Sequence, residues 1–144
     1  MRYIRYVICL LLFVNLLFAG YAYALDEKLE FMDVTLPLNW EVVKSTSDQV
    51  EFANRGQQAR FIFKKVPVYN VSIEDYARAL MKAHSGFNFT RRTNTIYYFE
   101  YMYGYNSAWT LVEYYNGRRD MLTIQTGIGE SNDFVNIMDS IVLK

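Results

Sequence analysis

The chain has 144 residues, with 15 basic and 15 acidic side chains, one cysteine and 13 tyrosines. A formal net charge of zero argues against a nucleic-acid partner, which calls for a basic excess. A single cysteine excludes an internal disulfide, so the domain must be stabilised by its core alone.

Arg2 and Arg5 precede an apolar run from Tyr6 to Phe18, and Ala22-Tyr23-Ala24 supplies an A-x-A cleavage site. That order reads as a secretory signal peptide over residues 1–24, because the apolar run is too short to span a bilayer comfortably. Cleavage near Ala24 leaves one domain, residues 25–144, periplasmic or secreted, with no stable membrane insertion. With Arg2 and Arg5 gone, 13 of the 15 basic residues remain against all 15 acids, a net charge of −2, and Cys9 is lost as well. About 120 residues suffice for a single core.

Leu25 to Glu30 reads as a short, charged, mobile lead-in. Phe31 to Leu36 alternates apolar and polar residues until Pro37, which cannot continue an inner strand. Trp40 to Val43 starts the next strand, Val50 to Phe52 a third, and Arg60 to Val66 a fourth. In that last strand Phe61 and Phe63 point one way while Arg60, Ile62 and Lys64 point the other. Ser72 is placed to cap a helix, with Glu74 and Asp75 at the positive end of its dipole. Ile73, Tyr76, Ala77, Leu80, Met81 and His84 form its apolar stripe, and Gly86 is the natural stop. Phe87 to Arg92 reads as a connector.

Residues 95–126 then hold three runs rich in Tyr, Val, Ile, Thr, Phe and Trp, the composition of a half-buried pleated surface. Asn116-Gly117 is a strong type I′ hairpin signal, and Gly104 to Ser107 allows a tight or a four-residue loop. The reading is a three-stranded antiparallel meander. A two- or four-residue turn at Asn116 places Trp109, Leu111, Leu122 and Ile124 on one face, with Glu113 and Asp120 near its turn end. A first loop of two or four residues adds Ile96, Tyr98, Glu100 and Met102 to that face. Tyr97, Phe99, Tyr101, Tyr103, Val112 and Tyr114 then take the other. Gly127-Ile128-Gly129 breaks the last strand, and Ser131 or Asn132 caps a final helix with Phe134, Val135, Ile137, Met138 and Ile141 inward. The fold class is α+β: one antiparallel sheet flanked by helices.

The pattern Val34-x-Leu36-Pro37-x-x-Trp40, the Ser72-capped helix, the aromatic meander and a terminal helix closing on Ser140-Ile141 resemble the PsbP-type superfamily. That group includes an extrinsic photosystem subunit, a Ran-binding import factor and small bacterial envelope proteins. The resemblance spans most of residues 31–144 and implies an α/β/α sandwich and a non-catalytic protein that docks onto a larger partner. Its motifs are short and structural, and no functional residue carries across.

Candidate chemistry is sparse. His84 is the only histidine, and its place on an apolar helix stripe is ordinary for a structural residue. No P-loop, G-x-S-x-G or G-x-G-x-x-G motif occurs, so no catalytic residue, cofactor or metal is assigned. Glu100, Glu113 and Asp120 are the one carboxylate group with a geometric argument for a hard cation. Against it stand Arg118 and Arg119 beside them and the lack of a loop supplying further oxygens. Asn70-Val71-Ser72 and Asn88-Phe89-Thr90 match glycosylation sequons by chance. The tyrosine row Tyr97, Tyr101, Tyr103 and Tyr105 ends at a loop tip. Most of such a row is core beneath a helix, but tyrosine also suits contact surfaces. Tyr103, Tyr105, Tyr101 and Asn106 are therefore the candidate partner-binding residues. The expected function is an exported protein-binding module of the bacterial cell envelope: an accessory subunit, an assembly factor or an immunity-type binder of another envelope protein. The alternative is a small-ligand binder with an aromatic pocket between sheet and helix.

Overall fold

The computed structural model describes residues 24–144; the signal-peptide reading lies almost wholly outside them. The chain runs β1 (Leu25–Lys28), β2 (Met32–Leu36), β3 (Trp40–Ser45), β4 (Gln49–Asn54), β5 (Ala59–Pro67), α1 (Ile73–Ala83), β6 (Phe87–Thr93), β7 (Ile96–Tyr103), β8 (Asn106–Tyr115), β9 (Arg118–Ile128), α2 (Asp133–Ser140) and β10 (Val142–Leu143). The strands form a seven-stranded sheet, β3-β4-β5-β9-β8-β7-β6, and a three-stranded one, β1-β2-β10. All pairings are antiparallel. The class is α+β, as the periodicities indicate. No helix among the described residues is long and apolar enough to cross a membrane.

The large sheet is covered unequally. On one face, α1 packs over β6, β7 and β8 and buries Ile73 and Ala77 against Tyr97, Val112 and Leu122. On the other, α2 and the small sheet share a core in which Met32, Leu36, Phe52, Phe61 and Ile137 are shut off from solvent. The cover on that face is thus half strand and half helix, which differs from a plain helix–sheet–helix sandwich. The small sheet exists because β1 pairs with β2 from Leu25↔Leu36 to Lys28↔Asp33. Expected as a mobile lead-in, this segment is a strand. Its side chains Leu25, Asp26 and Lys28 are exposed, so pairing of the backbone, invisible to a hydrophobic pattern, is what holds it.

Strands β7 and β8 meet in a two-residue turn, Tyr103↔Asn106, and the faces of β7 fall as read for that loop. The Asn116-Gly117 turn is also tight, with φ of 49° and 75°, as a type I′ turn requires. Beyond it the expected face breaks down. Tyr115 pairs with Arg118, but Tyr114 pairs with Leu122, so Arg119, Asp120 and Met121 form a bulge with no partner in β8. An odd number of extra residues inverts the side chains that follow. Trp109 therefore opposes Gly127, and Leu111 opposes Gln125. Leu122 and Ile124 lie on the opposite face, with Val112 and Thr110.

Ser72 caps α1 by accepting from the Asp75 N–H (3.0 Å). At the other end Gly86 N–H donates to Met81 O (2.8 Å) and Ser85 N–H to Lys82 O (3.1 Å), a Schellman closure. The left-handed residue is Ser85 (φ 53°), not the expected Gly86, which is needed instead for space between Met81 and the Glu100 carbonyl. Phe87 to Arg92, which reads as a connector, lies in the edge strand β6. It pairs with β7 through two irregularities and is exposed at nearly every position, so no alternation marks it. Helix α2 lacks a side-chain cap from Asn132; the Ser131 hydroxyl accepts from Asp133 N–H instead (3.2 Å).

Candidate functional site

Three connections gather at one end of the large sheet: the β4–β5 turn, the β7–β8 turn and the β9–α2 loop. Gly129 N–H donates to Ser107 O (2.8 Å), and the Ser131 hydroxyl donates to Gln57 Oε1 (2.7 Å), which ties the three together. Between them Gln57, Gln58, Tyr105, Asn106 and Glu130 line a shallow depression of about 250 Å³. Gly104 takes φ +62° with open space around it, the first central position of a type II′ turn, where glycine is free to go. That leaves Tyr105 as the second central residue, with no strand neighbour to lean on.

Tyr105 is accordingly 103 % exposed and Tyr103 51 %. On the far side of the same hairpin Met102 is 56 % and Phe87 48 % exposed. Met102 and Phe87 were missed in the sequence, the first because its strand reads as uniformly aromatic core, the second because it sits in an unrecognised strand. Asn106 is exposed opposite Tyr103. Tyr101, grouped with these residues by alternation, is only 5 % exposed and lies beneath α1, its ring centroid 4.6 Å from that of His84. Burial raises its phenol pKa, partly offset by hydrogen bonds to Thr110 and Thr126. Tyr101 thus supports the tip from inside and does not join its surface.

Tyr103 and Arg60 line one groove on the α1 face of the sheet. Arg60 is hydrogen-bonded to Glu51 Oε1, and its pKa is raised chiefly by that contact, with the Tyr103 hydroxyl adding to it.

The three carboxylates do not converge. Glu100 accepts from the Tyr98 hydroxyl (3.0 Å) and Asn88 Nδ2 (2.6 Å). Glu113 is half-buried and accepts from Gln125 Nε2 (2.9 Å); burial pushes its carboxyl up. Asp120, carried off by the β9 bulge, is exposed and paired with Arg118 (2.8 Å), which holds its carboxyl low. Among the described residues no group of three or more His, Cys, Asp or Glu is placed to hold a metal ion. His84 is exposed at the C-cap of α1. In comparisons with known proteins the chain matches no family model, no curated protein and no solved structure.

Proposed function

We propose that this chain is an exported, non-catalytic protein-binding module of the bacterial cell envelope, and that it contacts another envelope protein through the β7–β8 tip. The observation that carries the reading is the exposure of Met102, Tyr103 and Tyr105 on a hairpin with two-residue closure, with Phe87 of the neighbouring strand β6 exposed beside them. A large ring on a tight turn has little entropy left to lose on docking, and tyrosine is enriched among residues that dominate interfaces. The PsbP-type resemblance, with a helix on either face of the sheet, points to the same class of docking protein.

The test is a photo-crosslinking residue placed at position 105, with a control at Tyr69, an exposed residue beyond the opposite end of β5. Crosslinks to one defined envelope protein should arise from position 105 and not from 69. With that partner in hand, the double change Tyr103→Ser, Tyr105→Ser should leave the melting temperature nearly intact. It should weaken capture at least about tenfold, equivalent to about 1.4 kcal/mol. Equal crosslinking from both positions, or undiminished capture by a folded double variant, would place the contact surface elsewhere.

A further inference from the structure

Helix α1 covers only the β6–β8 half of its face, so a groove of about 300 Å³ runs between it and strands β5 and β9. That volume is at the lower end of the range for small-molecule sites. Its floor is apolar, with Ile62, Ile124 and Ile128, and its helical wall is Tyr76, Leu80 and His84. Ile62 and Tyr76 remain half-buried, so each keeps apolar surface that no element of the chain covers. Set into the floor are three hydroxyls, those of Tyr101, Thr110 and Thr126, of which the two threonine hydroxyls lie 2.9 Å apart.

The wall facing α1 carries Arg60 and Lys64, and no aspartate or glutamate lines the groove. Arg60 is already answered by Glu51. Lys64, on the same face of β5 two pairs along, makes no ion pair among the described residues. The groove therefore combines an uncovered apolar strip with one unanswered cation at its edge and hydroxyl donors beneath.

We propose that this groove binds a small carboxylate with an apolar body, its head at Lys64 and its chain along Ile62, Ile124 and Leu80. The volume excludes a two-chain lipid, and the cationic edge disfavours amines. This site adjoins the tip at Tyr103, which lines the groove, whereas Tyr105 does not, so the single change at Tyr105 tells the two proposals apart.

The probe is octanoate below its micelle concentration, with octanol and octylamine as neutral and cationic matches, titrated into the mature protein. Binding is read by amide chemical-shift changes and by melting temperature. Octanoate should bind about tenfold tighter than octylamine, about 1.4 kcal/mol apart, with shifts confined to α1, β5 and β9. Lys64→Gln should cost about threefold in octanoate affinity, the size of one partly exposed charge contact, and leave octanol unchanged. Ile62→Trp, which fills the groove from its floor, should abolish binding of both, and Tyr105→Ser should affect neither. Octanoate binding no tighter than octanol, Lys64→Gln binding as wild type does, or shifts scattered over the surface would overturn the assignment. So would the absence of any shift at millimolar probe.

Discussion

At the scale of single residues, Trp40 shows how one side chain joins distant parts of the chain. Its indole is buried, donates to Asp133 Oδ2 (2.8 Å) and meets the Phe134 ring edge-on at 5.8 Å, so it pins α2 to the start of β3. Trp40→Ala should cost about 3–5 kcal/mol, the usual range for a truncated core aromatic, measured by urea titration; a loss below about 1 kcal/mol would make the indole dispensable. Glu113 makes a pH-dependent case. Its folded pKa is raised by burial, so between the unfolded value, about 4.3, and the folded one the native state holds more protons than the unfolded. Stability therefore falls as pH rises through that window. Glu113→Gln keeps an oxygen for Gln125 and should be more stable than wild type at pH 7. The difference should vanish below about pH 4, as urea titrations at the two pH values would show.

Among the elements, Gly127 carries the clearest lesson. In the sequence it reads as part of a break, yet it lies inside β9, opposite both Trp109 and Phe61, and a Cβ there would run into the Trp109 indole. Glycine lets the ring lie flat across the strand, where it meets Phe61 at 6.1 Å and Phe134 at 5.8 Å. Gly127→Ala should cost about 1–3 kcal/mol, as overpacking does, and change the near-ultraviolet circular dichroism of tryptophan; an unchanged spectrum would mean the ring has room. What was legible in the sequence follows the same physics. Phe61 and Phe63 alternate with Arg60, Ile62 and Lys64, and that strand is legible because its two faces differ in polarity. The cap at Ser72 and the turn at Asn116-Gly117 were legible because each needs particular residue types. The three-residue bulge after Arg118 was not, since a strand's faces can be counted only while its pairing is unbroken. Strands β1 and β6 escaped for want of any buried alternation.

Over the whole molecule, the tip was legible in part: tyrosine alternation ending at Gly104 marks a hairpin end, but it cannot separate Tyr101, under α1, from Tyr105, in solvent. Exposure depends on where α1 comes to rest, which is a tertiary fact. The small sheet is another, and it bears on how fast the protein folds. Residues of β2 and of the turn before it meet the end of the chain across great sequence separations. Thr35 N–H donates to Ser140 Oγ (3.0 Å) over 105 residues, and Lys144 Nζ to the Leu29 carbonyl (2.6 Å) over 115. Closing such long loops costs entropy before any contact repays it, whereas β7, β8 and β9 join through tight turns. The large sheet should thus be assembled at the rate-limiting barrier while the small sheet is still open. Ser140→Ala, which leaves the Thr35 amide without its partner at a cost of about 1–3 kcal/mol, should accordingly quicken unfolding and leave the refolding rate almost untouched. Stopped-flow measurements of both limbs would decide it; a slowed refolding limb would mean that the chain ends meet early. If they meet late, the seam between β2 and α2 is also where the native state opens first, and the lifetime of the folded protein is set there rather than in the aromatic meander.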